Sequence, residues 1–446
     1  MNIKKISLFL LANVVGISLM AEGYQLNTQS ARQIGMAHMG TALKLGAESM
    51  VFNPAGLSFM RGSADLSFGM TGISSKVVFT QGEYEAKTDN PLGTPIFGYA
   101  GFRLSEKFFA GVSISNPAGN SLVWPDNWRG THFVQDISLQ AFSIQPTISF
   151  KINDQWSIGA GFMANFGSFE LNRGLIPVGG LAPFLQSPLL PQAYKDIISG
   201  TIGISPLNAN LQGDSKITYG FNVGIMFTPN DQWSFGLSYR SKVVMTLEEG
   251  NATVSAATES LQSIFPVLAT ASLDITKALA LDGQNFTAEL PIPSNLHLGA
   301  AYKPNDKWLV SAELQYVGWS AYDTLSIAFP HATIHQEKNF SNSMIYRVGG
   351  EYYASEKFTL RAGFIYDSTP VDKTLYSPET PGANKPSLTA GLTFAPSQKF
   401  ALDLGLQYLN GQKTHGSMPQ ASPLSAFEGE YKSTALLPSL GLRFNF

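Results

Sequence analysis

The sequence predicts an all-β fold: a 14-stranded antiparallel transmembrane β-barrel with a small N-terminal helical plug, or hatch, in its lumen. Three observations carry this expectation. Only 14% of the 446 residues are charged and mean hydropathy is +0.02. An ordinary globular domain is roughly 25% charged, and a bundle of membrane helices is far more apolar. Six short polar turns recur, each followed by an aromatic residue and an alternating stretch. After the N-terminus no segment reaches ~18 consecutive apolar residues, so any membrane crossing must be made by strands.

The elements follow in chain order. Lys4 and Lys5 precede the apolar run from Ile6 to Met20, and Ala21 is a small residue suited to cleavage. That is the layout of a secretory signal peptide, expected over residues 1–21. Residues 22–62 are rich in Ala, Gly and Ser and lack period-two alternation, which reads as a luminal plug. The alternative is a periplasmic tail, which would be richer in charge and proline. The barrel is expected over 63–446.

The turns are Ser105-Glu106-Lys107-Phe108, Asn153-Asp154-Gln155-Trp156, Asn230-Asp231-Gln232-Trp233, Asn305-Asp306-Lys307-Trp308, Ser355-Glu356-Lys357-Phe358 and Ser397-Gln398-Lys399-Phe400. Turn-forming side chains stand where tight reversals need them. After Trp233, Phe235, Leu237 and Tyr239 share one face, with Ser234, Gly236, Ser238 and Arg240 on the other. After Phe400, Leu402, Leu404, Leu406 and Tyr408 oppose Ala401, Asp403, Gly405 and Gln407. A helix would instead group residues three and four apart. A soluble sandwich also alternates. Here, however, the strand-initial aromatics recur at one level, as in an interfacial girdle, and short turns alternate with long loops. The pattern gives strands at 63–81, 94–104, 108–120, 133–152, 156–171, 216–228, 233–247, 288–302, 308–329, 342–354, 358–368, 385–395, 400–409 and 435–446. An even number puts both ends on the periplasmic side. In the last strand Leu440, Leu442, Phe444 and Phe446 share a face. The terminal aromatic Phe446 resembles the signal read by the barrel assembly machinery.

Two expected outer loops are unusually apolar. Residues 172–213 include Leu175, Ile176, Leu181, Phe184, Leu185, Leu189, Leu190, Ile197 and Ile198. Residues 251–285 include Leu261, Ile264, Phe265, Val267, Leu268, Leu273, Ile275, Leu279 and Leu281, part of this stretch at helical spacing. Loops of a sugar or ion porin should be polar. These must pack on each other or bind something apolar, and both readings stay open.

Other classes fall away. Net charge is −3 with no long basic run, so no nucleic-acid footprint exists. There are no cysteines, hence neither disulfides nor thiolate metal sites. An outer-membrane lipase would need a Gly-x-Ser-x-Gly elbow, which is absent. His331 and His335 have metal-like spacing but lie in an expected loop without a third ligand, and read as solvated. No enzyme activity, cofactor or metal is expected.

The residues resemble the FadL/TodX (OMPP1) family of outer-membrane transporters for long-chain fatty acids and hydrophobic compounds. Gly23-Tyr24-Gln25-Leu26-Asn27 is similar to the family's mature N-terminus, and Asn53-Pro54-Ala55 matches its plug motif. Tyr239-Arg240-Ser241-Lys242-Val243 and Gly318-Trp319-Ser320 also resemble family stretches. The likeness covers essentially the whole mature chain.

The resemblance implies a route. Ligand lands in a groove between the third and fourth outer loops, here carrying Phe184, Leu185, Leu189, Leu190, Ile264, Phe265 and Leu268. It moves to a pocket at Tyr24, and leaves sideways through an inward kink of the third strand. That strand here meets Asn116, Pro117, Ala118, Gly119 and Asn120. Proline cannot donate to a ladder and glycine commonly marks a bend, so a break is expected there independently; the alternative is a strand that simply ends. Arg173 stands at the position of a family arginine linked to the ligand carboxylate; its other reading is a solvated rim charge. A second family lysine has no clear match, since Lys338-Asn339-Phe340-Ser341-Asn342 differs in spacing.

The expected function is outer-membrane transport of long-chain fatty acids or similar hydrophobic molecules by a monomer. Its partners would be the ligand, outer-membrane lipids and the assembly machinery. Aromatic hydrocarbons or other lipids are the alternative cargo, and a surface adhesin or antigen barrel is the alternative class.

Overall fold

The computed structural model describes residues 24–379, 381–418 and 427–446. The expected signal peptide lies outside them. Fourteen antiparallel strands form one closed sheet, several of them broken into an inner and an outer segment. They are β1 (Ala64–Thr71 and Ser74–Gln81), β2 (Tyr84–Lys87 and Ile96–Arg103), β3 (Phe108–Ser115 and Gly119–Val123), β4 (Asp136–Lys151) and β5 (Trp156–Gly174). Next come β6 (Leu207–Asp214 and Thr218–Phe227), β7 (Trp233–Arg240 and Val243–Ala256), β8 (Gln284–Ile292 and Asn295–Asn305) and β9 (Trp308–Val317 and Thr324–Phe329). The rest are β10 (Ala332–Glu337 and Ser343–Tyr353), β11 (Phe358–Asp367), β12 (Lys385–Ser397), β13 (Phe400–Asn410 and Thr414–Met418) and β14 (Phe427–Asn445). Each pairs with its sequence neighbours, and β1 meets β14 from Asp65↔Asn445 to Thr71↔Ser439, which closes the barrel. A closed sheet leaves no backbone edge facing lipid.

The six turns form one rim. The Asn153 side-chain oxygen accepts from the N–H groups of Gln155 and Trp156 at 2.9 and 2.8 Å. Ser105, Asn230, Asn305 and Ser355 do the same. Each strand-initial aromatic then lies against an aromatic on the paired strand: Phe108 on Phe150, Trp156 on Phe227, Trp233 on Tyr302, Trp308 on Tyr352, Phe358 on Phe394 and Phe400 on Phe444. Their centroids are 4.3–5.2 Å apart. The result is a belt of aromatic pairs at the periplasmic interface, where rings with one apolar and one wet side are favoured.

Above the belt the faces alternate as expected. Phe235, Leu237 and Tyr239 face out while Ser238 is buried. In β6, β7 and β8 the outer segments reverse this. Leu207, Ala209 and Leu211 point inward, as do Val243, Met245 and Leu247, and Phe286, Ala288 and Leu290. The switch falls at the breaks between segments, near residues 215–217, 241–242 and 293–294. Below them lipid surrounds the wall and apolar side chains face out. Above them water surrounds it and the same residue types form an interior. That interior includes Trp124 stacked on Trp128 at 4.1 Å, together with Phe79 and Phe427.

Inside the barrel sits the N-terminal segment, with short helices Ala31–Ile34 and Ser49–Phe52 and a 3-10 turn over Pro54–Phe59. Asn53 organises it: its side-chain oxygen caps the Ala55 N–H at 3.1 Å and its amide donates to Thr41 O at 2.7 Å. The same amide reaches Ile225 O of β6 at 3.0 Å, so the Asn53-Pro54-Ala55 motif is tied to the wall. The wall meets it with glycine. A Cβ on Gly236 would come within 1.9 Å of the Thr41 carbonyl oxygen, and one on Gly159 within 2.4 Å of the Pro54 carbonyl carbon. Charge adds further ties. Glu313 Oε2 accepts from the N–H groups of Gly40 and Thr41 at 3.1 and 3.0 Å. Arg32 pairs with Glu351 at 3.1 Å, and Arg361 shares that carboxylate at 2.7 Å.

Gly236→Val is therefore expected to push the segment around Thr41 off the wall. Single-channel recordings of the purified barrel should show a several-fold rise in ion conductance. An unchanged conductance would contradict the close fit.

Candidate ligand-binding site

The two apolar outer loops fold onto each other. Outer loop 3 (175–206) carries helix Gln192–Ser199, and outer loop 4 (257–283) carries helices Glu259–Ala271 and Leu273–Leu279. Thr258 caps the first of these, accepting from the Leu261 N–H at 3.2 Å. Leu261, Ile264, Phe265 and Leu268 follow at i, i+3, i+4 and i+7, and all four are buried against Leu175, Ile176, Leu181 and Ile198. At roughly 1.5–3 kcal/mol for each large apolar side chain, this cluster holds the loop pair as one body. Phe184, Leu185 and Leu190 are half-buried along its edge, while Leu189 is 85% exposed. Ile264, Phe265 and Leu268 thus belong to the packing between the loops. The open apolar edge is made by loop 3.

The third strand breaks where Pro117 interrupts it. Pairing between β2 and β3 stops at Phe97↔Ser115. Beyond the break Gly119–Val123 pairs with β4, while the outer part of β2 turns to β1 through Val78–Gln81. Asn116 bridges the interruption with its side chain, accepting from the Ile96 N–H at 2.9 Å and donating to Ala141 O at 2.9 Å. The N-terminal segment supplies what the ladder lacks: Leu26 N donates to Pro117 O at 3.0 Å and Gly119 N to Tyr24 O at 2.8 Å. Gln25 and Ala118 form an isolated antiparallel bridge.

This pairing places Tyr24 inside the lumen. Its hydroxyl donates to Pro291 O of β8, and its ring lies edge-on to Trp319 and Tyr322 at 5.3 and 6.2 Å. Beside it a cavity of about 170 Å³ runs along Gly119, Asn120, Ser121 and Leu122, with Lys76, Glu379 and Lys385 on its other walls. A larger groove of about 450 Å³, lined by Ile148, Ile158, Val223, Leu237 and Leu296, lies on the outer face of the wall. Its exposed apolar residues belong to the lipid-facing surface.

Arg173, at the outer end of β5, is 1% exposed, so it is not a solvated rim charge. It donates to His132 O. Burial and the Arg173 charge push the His132 imidazole down to about 3, which keeps it neutral beside that cation. Sequence reasoning left Lys338 without a role. The structure buries it completely, with Nζ 3.3 Å from Oε1 of Glu379, a residue that sequence reading passed over. A run of KNFSN in an expected loop carries no local signal of this, because its partner lies 41 residues away.

Residues 12–446 match the family model described as outer membrane protein transport protein (OMPP1/FadL/TodX). The chain belongs to this family. It is thus an outer-membrane barrel of a family made up of transporters and channels. It is 24% identical over 437 residues to a long-chain fatty acid transport protein of Escherichia coli O6:H1, covering 95% of this chain and 94% of that one. It is also 24% identical to outer membrane protein P1 of Haemophilus influenzae, over 89% of this chain and 87% of that one. Among solved structures, a Pseudomonas aeruginosa FadL homologue superposes with a TM-score of 0.76 at 20% identity, covering 95% and 100% of the two chains. The Ralstonia pickettii toluene transporter TbuX gives 0.66 at 18%, over 94% and 99%. These structural likenesses speak for the fold.

Asn116→Ala removes one acceptor and one donor at the strand break. At about 0.5–1.5 kcal/mol for each hydrogen bond, a loss of roughly 1–3 kcal/mol is expected. Urea unfolding in detergent checks it, and an unchanged midpoint would contradict the bridging role.

Proposed function

We propose that this family member carries long-chain fatty acids or similarly hydrophobic molecules across the outer membrane. The apolar edge of loop 3, at Phe184, Leu185, Leu189 and Leu190, captures the ligand, and the loop 4 residues Ile264, Phe265 and Leu268 hold that edge in place. The ligand then passes to the cavity at Tyr24 and leaves sideways beside Asn116, Pro117, Ala118, Gly119 and Asn120. Segment 31–60 around Asn53, Pro54 and Ala55 acts as the fixed part of a hatch, and residues 24–29 as its moving part. Arg173 and Lys338 receive an acidic head group. The barrel acts as a monomer, and Phe446 guides its assembly.

The observation that supports this most is the double use of the β3 break. The wall lacks a regular ladder there, and the residues filling the place are those that carry Tyr24 into the lumen. Moving one segment would therefore uncover the lateral opening and vacate the pocket together. The physical advantage is direct. Each buried methylene is worth roughly 0.8 kcal/mol, so a long alkyl chain resists crossing water or the sugar layer outside. A path from the apolar loop edge, past the Tyr24 ring and sideways into the bilayer, spares the chain most of that crossing. The likeness to fatty acid and toluene transporters supports the cargo class, with aromatic hydrocarbons as the second reading because TbuX is one of the structural neighbours.

The test is uptake of a labelled long-chain fatty acid by a strain lacking its own transporter. Replacing 116–120 by a regular alternating strand should reduce uptake at least ten-fold without loss of folded barrel. Full uptake by that variant would overturn lateral release. No uptake by the unaltered protein would overturn the fatty acid assignment and direct the assay to toluene-like cargo.

A further inference from the structure

This inference rests on the transport reading above and concerns how the cavity at Tyr24 distinguishes acids from neutral hydrophobes. Lys338 lies between the two segments of β10, and Glu379 lies in outer loop 6 (368–384). Neither side chain has exposed surface, and they meet at 3.3 Å. The second carboxylate oxygen of Glu379 accepts from the Ser377 hydroxyl. Its backbone carbonyl accepts from the Asn120 side-chain amide at 3.3 Å, so the same residue ties loop 6 to the β3 segment just beyond the break. Glu379 also lines the cavity that Tyr24 enters, together with Lys76 and Lys385.

We propose that Glu379 is a built-in carboxylate holding the place of the ligand's own, and that an acidic amphiphile displaces it from Lys338. A buried ammonium strongly resists losing a paired anion without a replacement. A neutral hydrophobe in the cavity leaves the pair intact. An alkyl carboxylate offers Lys338 the same charge and the same two oxygens, so one ion pair is exchanged for another. The displaced Glu379 stays on the wall of the cavity that Lys76 and Lys385 also line. Its departure also releases the backbone contact to Asn120. Recognition of the head group is thereby coupled to the strand beside the exit, and Glu379 sets the preference for acid over neutral cargo.

The test uses the purified full-length barrel, with folding verified by heat-modifiable electrophoretic mobility. Affinities for palmitic acid and for its uncharged methyl ester are measured by displacement of a fluorescent hydrophobe. Glu379→Gln keeps the shape but removes the competing charge. It is expected to tighten palmitate binding at least five-fold and leave the ester unchanged. Glu379→Asp, whose carboxylate reaches less far towards Lys338, should fall between the two and serves if the glutamine variant does not fold. Palmitate binding that is unchanged or weakened, or an ester that tightens equally, would overturn the exchange. If the unaltered protein binds neither compound, the transport reading fails first and this inference falls with it.

Discussion

In hydrocarbon a backbone N–H or C=O without a partner costs several kcal/mol, and the whole molecule is arranged around that constraint. It dictates strands joined into a closed sheet, with β1 laid on β14 so that no edge is left. It also makes the interruption of β3 informative. Where Pro117 breaks β3, the missing ladder bonds are replaced by the Asn116 side chain and by the backbone of residues 24–26. The break is thus filled by a segment that is not part of the wall. A removable substitute for a hydrogen-bond ladder is what a lateral gate requires.

The luminal segment divides into parts held with different strength. Residues 31–60 are fixed by glycine contacts with the wall, by the Asn53 amide and by carboxylates that receive their backbone N–H groups or pair with Arg32. Residues 24–29 are held by a few hydrogen bonds at the break, the Tyr24 and Tyr99 hydroxyls and two glutamine side chains. Breaking the first set would unpair buried charges across several strands. Breaking the second exposes polar groups beside a polar cavity, where water can replace the lost partners. Motion is therefore expected at the N-terminal end of the segment, with the remainder as its support.

Much of this was legible in the sequence, for identifiable reasons. Membrane imposes period-two alternation and an aromatic belt, so Trp233-Ser234-Phe235-Gly236-Leu237 could be assigned a face from its pattern alone. Pro117 announced the break. The outer segments were harder. In β6 the expected strand began at residue 216, whereas a further segment, Leu207–Asp214, precedes it with its apolar face turned inward. The phase flips where lipid gives way to water, and a pattern search that demands one phase stops there. Tyr84–Lys87 and Thr414–Met418 escaped for a related reason: they are short and their inner faces serve an aromatic core above the membrane. Lys338 and Glu379 were illegible because their pairing is a property of the closed barrel. Arg173 was left between two readings, since burial at a strand end depends on which loops cover it.

The central claim is that the N-terminal segment must leave the β3 break for cargo to pass. The protein has no cysteines, which allows a clean lock. Gln25 and Ala118 face each other as bridge partners, at a spacing that a disulfide can span. With both replaced by cysteine, uptake of labelled long-chain fatty acid should be lost under oxidising conditions and restored by reductant. Equal uptake in the oxidised and reduced states would contradict the account.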